Sequence, residues 1–267
     1  MDKVKLVLVD IDGTLLNDKG VVSYKTIETI SKLKDKNILF GIATGRTPFA
    51  VKYLIKDWGI ADYVDIIMGF NGGCYLDMKN NTMKSCYLLD GKYIPVIFND
   101  FRQFNFNAGI YDQESFHVLK EDERAKDIAC RNKLPLYVDD LSQYYDSKIE
   151  KMLFIAEKEE LDKMTDYYQT LSNLKYRAVR STPTLLEFLN PELSKSKGIK
   201  QMCQDLNIPL DSIVTFGDEM NDYEMIRDYI GVAMENANPE IKKVAKYITK
   251  SNNEDGIADF LIKYQII

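Results

Sequence analysis

Apolar positions along this chain follow two alternating rhythms. Short, mainly apolar runs at 6–9, 38–43, 63–68, 212–216 and 230–234 have the length and continuity of strands buried on both faces. Between them, Ile27, Ile30 and Leu33, and later Ile199, Met202 and Leu206, recur at helical spacing. Ser23 stands where it caps the first of these helices, and Thr47 followed by Pro48 opens another. A strand at 247–249 and a last helix carrying Ile257, Phe260 and Leu261 continue the alternation. The order predicts an α/β fold with a doubly wound, largely parallel sheet.

In the middle of the chain the rhythm changes. Ile94, Ile97, Phe98, Phe101 and Phe104 share one helical face, and short strands are predicted near 106–111, 115–119, 151–156, 176–179 and 185–189, with helices at 123–131 and 159–171. This mixture predicts an inserted α+β domain at 88–184, dividing a Rossmann-like core of residues 1–87 and 185–267.

Composition narrows the function. A chain of 267 residues, 45% hydrophobic, can bury a sizeable core. Its net charge of -6 and pI near 5.1 argue against a nucleic-acid-binding surface. No apolar run reaches the length of a membrane span, and residues 1–5 precede a strand too brief for a signal peptide's core, so a cytoplasmic protein without membrane attachment is expected. Cys74, Cys86, Cys130 and Cys203 are scattered without zinc-ligand spacing. His117 is the only histidine and, isolated in a predicted strand, reads as structural. The chemistry is therefore expected to rest on carboxylates.

The first strand stops at Asp10, and Asp12 follows on the way into Gly13-Thr14. If strand geometry continues, the two carboxylates share one pocket, where their repulsion calls for a cation with oxygen ligands; Mg²⁺ suits a site open to water and phosphate. The alternative is a strand ending in an Asx turn. Thr44-Gly45-Arg46 ends the second strand just before a helix, which describes either a phosphate cradle or simple turn chemistry, with Arg46 a ligand or a solvated charge. Asn71-Gly72 reads as a tight turn or as a weak substrate-facing candidate. Lys195 and Lys197 both stand at the mouth of a helix where a lysine reaches phosphate. Gly217-Asp218-Glu219-Met220-Asn221-Asp222 places an acidic cluster at a further strand end, the pattern of a second half of a metal site.

Taken in order, Asp10-Ile11-Asp12-Gly13-Thr14, Thr44-Gly45-Arg46, Lys195 and Gly217 to Asp222 resemble the haloacid dehalogenase superfamily, and more narrowly its Cof-type phosphatases. Ala233-Met234-Glu235-Asn236-Ala237 and Asn252-Asn253-Glu254-Asp255-Gly256 resemble that group's closing segments. The resemblance implies Mg²⁺-dependent hydrolysis of a small phosphorylated metabolite through an aspartyl-phosphate. Asp10 would be the nucleophile and Asp12 the general acid, then base. Thr44, Gly45, Lys195 and Asn221 would hold phosphate. Asp10, Asp12 through its carbonyl, and Asp218 would hold the metal, with Asp222 supporting Lys195 or a metal-bound water. Ser196 stands where the group often has Gly, which leaves Lys195 and Lys197 in competition. The insert matches the position of the group's large α/β cap, expected to act as a lid. A phosphosugar mutase on the same residues and a receiver-like phospho-accepting module are the alternative readings.

Overall fold

The computed structural model describes residues 3–172 and 175–267. The chain divides into two compact units, one of residues 1–86 and 194–267, the other Tyr87–Leu193. The second boundary falls after Leu193 and not at 184/185, because Leu185–Leu189 pairs antiparallel with both Met152–Ile155 and Arg177–Thr182 inside the inserted unit.

The larger unit holds an eight-stranded sheet. Across it run Tyr247–Ile248, Ile230–Ala233, Ile213–Gly217, Leu6–Val9, Leu39–Ala43, Ile66–Gly69, Cys74–Asp77 and Thr82–Ser85. The first six are parallel, and the last two turn back as an antiparallel edge. The strand at Thr82–Ser85, absent from the sequence reading, is short, polar and largely exposed, so it carries no apolar signature.

Leu6–Val9 is central, and its unbroken apolar run has a simple cause. Val7 and Val9 join one hydrophobic cluster with Phe40, Phe216 and Phe260, while Leu6 and Leu8 join another with Ile199, Met202 and Ile213. Alternate side chains therefore enter two different layers, and both must be apolar. At roughly 1.5–3 kcal/mol for burying each such side chain, these four residues anchor both layers.

After Leu6–Val9 the chain proceeds to one side of the sheet, and after the insert it returns to the other. The strand order thus reverses at the first strand, the position where open α/β sheets bind ligands beyond their carboxyl ends.

The inserted unit has a six-stranded sheet in the order Arg177–Thr182, Leu185–Leu189, Met152–Ile155, Asn107–Asp112, Ser115–Val118 and Leu136–Val138. Phe101, Phe154, Phe188, Leu161 and Met164 form part of its own core. The strand Leu136–Val138, half exposed at the sheet edge, is apolar throughout but only three residues long, too short to show a period.

Candidate active site

Three parallel strands end side by side. Val9 is in register with both Phe216 and Ile42, so Asp10, Asp218 and Thr44 emerge at neighbouring positions. Asp10 keeps its backbone in the sheet through an N–H donated to Phe216 O at 3.0 Å. Its carboxylate turns inward, and the side chain is only 11% exposed.

The Asp10 carboxylate meets Lys195. The lysine is the first residue of the helix Lys195–Leu206, capped by Ser194, whose Oγ accepts from Lys197 N. Lys195 Nζ is buried between Asp10 Oδ1 at 2.6 Å and Asp222 Oδ1 at 2.5 Å. Asp222 Oδ2 accepts from the backbone N–H of Asp218 and Glu219. Lys197 is exposed two residues on. Of the two lysines, the fold brings Lys195 to Asp10.

The start of this helix comes close to the turn at Asn71-Gly72. Gly72 has φ of +99°, and a Cβ there would lie 2.5 Å from Ser194 O; one on Gly198 would lie 2.5 Å from Gly72 Cα. Gly72 therefore matters through packing, since it lets the lysine-bearing helix dock. Asn71, also left-handed with φ of 55°, lies beside Gly45, and its Oδ1 accepts from Asn221 Nδ2 at 3.4 Å. Thr44 is buried and its Oγ1 accepts from Arg46 N. Thr47 caps and Pro48 begins the helix Pro48–Asp57, so Thr44, Gly45, Asn71 and Asn221 gather near a helix amino terminus, the surroundings an oxyanion favours.

Asp12 departs from expectation. The strand ends at Val9, and Asp12 makes an isolated bridge to Leu16 within a turn whose Gly13 has φ of +80°. Unlike the Asp10 carboxylate, its side chain is not buried. It is 65% exposed and gripped by Arg46, with Nη2 2.7 and 2.8 Å from the two carboxylate oxygens and Nε 3.3 Å from Oδ2. The strand period stops at Val9 because the chain enters a turn at Ile11, whose carbonyl accepts from Leu15 N and Leu16 N.

The charges explain why a cation fits. Asp10, Asp218 and Asp222 present carboxylate oxygens within 4.8 Å of one another, all buried. Burial pushes the Asp10 carboxyl up to about 8; Lys195 opposes this, while the Asp222 and Asp218 charges add to it. Burial likewise raises Asp218 to about 6, against the hydrogen bond it accepts from Thr14 Oγ1 at 2.7 Å. Burial alone would lower Lys195, but its two carboxylate neighbours outweigh that and hold it above its ordinary range, as an ammonium. One lysine thus leaves Asp10 and Asp218 short of positive charge. Asp222 is engaged with Lys195 and two backbone N–H groups, so Asp10 and Asp218 are the carboxylates left to hold a divalent cation with hard oxygen ligands.

Several residues in this region carried no assigned role in the sequence reading. Thr14 orients Asp218. Asn236 Nδ2 donates to Gly13 O at 2.8 Å, and its Oδ1 accepts from Asn252 N. Asn252 Nδ2 in turn donates to Leu16 O. The two closing segments thereby clasp the Asp12 turn, a contact across more than two hundred residues that no local pattern signals.

His117, in the inserted unit, has partners after all: Asp139 Oδ2 lies 2.6 Å from Nδ1 and Ser115 Oγ 3.0 Å from Nε2. This is the order of a hydrolytic triad, but Ser115 Oγ also donates to Asp112 O at 2.8 Å. That bond directs the hydroxyl to the backbone, and the set ties Ser115–Val118 to the chain just beyond its parallel neighbour Leu136–Val138.

Known proteins share this fold. Residues 7–261 match the family model described as haloacid dehalogenase-like hydrolase. The chain is 28% identical over 269 residues to a 5-amino-6-(5-phospho-D-ribitylamino)uracil phosphatase of Bacillus subtilis, with 98% of each chain covered. A haloacid dehalogenase-like hydrolase from Bacteroides thetaiotaomicron superposes with a TM-score of 0.86 at 25% identity, covering 98% of this chain and all of that one. The subclass IIB sugar phosphatase BT4131 shares the fold, with a TM-score of 0.79 at 22% identity and coverage of 99% and 100%. The chain belongs to the haloacid dehalogenase-like hydrolase family, whose Cof-type members it resembles in motif order, and is an enzyme of the phosphatase and phosphotransferase kind.

Proposed function

We propose that this protein hydrolyses small phosphate monoesters, with Mg²⁺, through a phosphorylated Asp10. The observation that carries the reading is the buried Asp10–Lys195–Asp222 chain at the carboxyl end of the central strand. A fully buried ammonium beside a carboxylate nucleophile is the arrangement phosphoryl transfer needs, since catalysis there is mainly positioning and charge stabilisation.

In this account Asp12 begins as the carboxylic acid and Asp10 attacks phosphorus; the Asp10 oxygen–phosphorus bond forms as the bond to the leaving oxygen breaks, and Asp12 gives its proton to that oxygen. Asp12 then takes a proton from water, whose oxygen bonds phosphorus as the Asp10 ester breaks. Lys195 offsets charge on the phosphoryl oxygens, and Asp222 keeps the ammonium aimed. Thr44, Gly45 and Asn221 bind the remaining oxygens, with Asn71 holding Asn221 in place. Mg²⁺, held by Asp10, Asp218 and the Asp12 carbonyl, would supply charge stabilisation and orient the phosphate.

Relatives named for a ribitylaminouracil phosphate and for sugar phosphates support a small phosphorylated metabolite as the substrate class. No helix among the described residues is long and apolar enough to cross a membrane, and four cysteines outside any disulfide suit the reducing cytoplasm we assign. A panel of phosphate monoesters assayed for released phosphate, with Mg²⁺ and with chelator, tests the reading. Release should require Mg²⁺ and should disappear in Asp10→Asn. Turnover in chelator, or isomer formation without release of phosphate, would contradict it.

A further inference from the structure

We infer that Arg46 is a positioning residue for Asp12, holding its carboxyl group through the guanidinium so that, when it carries the proton, it faces the leaving oxygen. The inference rests on the acid–base role proposed for Asp12.

Among the described residues, Arg46 is the side chain to which the Asp12 carboxylate is bonded, through Nη2 at 2.7 and 2.8 Å and Nε at 3.3 Å. The other carboxylates of the site are fixed by burial: Asp10 by Lys195, Asp218 by Thr14, and Asp222 by Lys195 and backbone N–H groups. Asp12 is the exception, 65% exposed at the tip of a turn. An unheld exposed carboxylate samples several rotamers, whereas proton transfer needs its oxygen within hydrogen-bond reach of the reacting atom.

Arg46 itself is anchored. Its N–H donates to Thr44 Oγ1 at 3.2 Å and its carbonyl accepts from Phe70 N at 3.0 Å. A Cβ on Gly69 would lie 2.8 Å from that carbonyl, so the backbone there is closely packed. An anchored arginine therefore grips an exposed carboxylate. Exposed ion pairs contribute little to stability, so the pair is not required for the fold, and removing it tests orientation. The planar fork also matches a carboxylate in a way a lysine ammonium does not.

The test uses the Mg²⁺-loaded, full-length protein and two esters that differ in their need for an acid: an alkyl phosphate, whose leaving oxygen must be protonated, and p-nitrophenyl phosphate, whose leaving group departs as the anion. Arg46→Met should lower kcat for the alkyl ester roughly tenfold or more, a part of what general acid catalysis supplies. The aryl ester should change by less than about threefold, because its departure does not draw on general acid assistance. Arg46→Lys should restore only part of the alkyl rate. In an Asp12→Ala background, Arg46→Met should cause no further loss on the alkyl ester. Equal losses on both esters, or losses that multiply in the Asp12→Ala background, would overturn the inference and assign Arg46 to phosphate or to the fold. The underlying reading fails separately: if Asp12→Ala alone leaves the alkyl rate intact, Asp12 is not the acid, and the role given to Arg46 falls with it.

Discussion

Replacing Asp222 with Ala should unfold the core unit far more easily, because it removes one of two anions that justify a buried ammonium. Lys195 and Asp222 have fully buried side chains, 2.5 Å apart, and Asp222 Oδ2 also takes the N–H groups of Asp218 and Glu219 at 3.0 and 3.3 Å. In Asp222→Ala the ammonium keeps Asp10 alone, and two backbone donors lose their acceptor. Breaking a buried ion pair from one side costs about 3–5 kcal/mol, and that range already includes the stranded charge. Set against a total stability of roughly 5–15 kcal/mol, this is a large share.

The single tryptophan, Trp58, ends the helix Pro48–Asp57 and packs against the core cluster, so its fluorescence reports this unit. With a urea dependence near ~3 kcal/mol/M, the midpoint should fall by roughly 1–2 M. Asp222→Asn, which keeps an acceptor but not the charge, should fall between. A midpoint for Asp222→Ala within about 0.3 M of wild type, less than ~1 kcal/mol on the same slope, would refute the claim that this pair fixes Lys195.

Three further outcomes follow from the same geometry. Lys195→Ala should lose on the order of a hundredfold or more in kcat, as loss of one preorganised charge-stabilising donor does, while Lys197→Ala stays near wild type. Because the folded Asp10 carboxyl is raised from its ordinary 3.8 to about 8, the folded state binds that proton more tightly than the unfolded chain, and the stability this gives is complete below about pH 4 and lost as pH rises through about 8. Melting of metal-free protein should accordingly show Asp10→Asn above wild type at pH 8, with the gap closing toward pH 4. Gly198→Ala should cost about 1–3 kcal/mol in urea unfolding and lower activity, since its Cβ would press on Gly72 and displace the helix that carries Lys195.

How far the sequence reveals this site depends on how local each feature is. The run Leu6–Val9 announces itself because both of its faces are buried, and the strand-end motifs at Asp10, Thr44 and Asp218 are legible because parallel neighbours deliver them to one edge. Asp12 reads as a strand position when the period is extended, yet the chain leaves the strand after Val9 and turns at Ile11, so its side chain is exposed. Lys195 and Lys197 are equivalent in sequence until the Ser194 cap sets the helix start and turns only the first toward Asp10. Arg46 on Asp12, Asn236 on Gly13 and Asp139 on His117 are tertiary contacts with no local pattern, so the sequence left Arg46 between two readings and the other pairs unseen. The edge strand Thr82–Ser85 is illegible because its exposed residues need not be apolar, and Leu136–Val138, though apolar, is too short to show a strand period.

The central claim is that Asp10 carries the phosphoryl group. Mg²⁺-loaded protein mixed with a phosphate-labelled ester should be quenched in acid within one turnover, and the label located by peptide mass spectrometry. The account predicts label on Asp10 that hydroxylamine removes, none in Asp10→Asn, and accumulation when Asp12→Ala slows hydrolysis of the intermediate. Steady release of phosphate with no labelled protein, or with label on a residue other than Asp10, would contradict it.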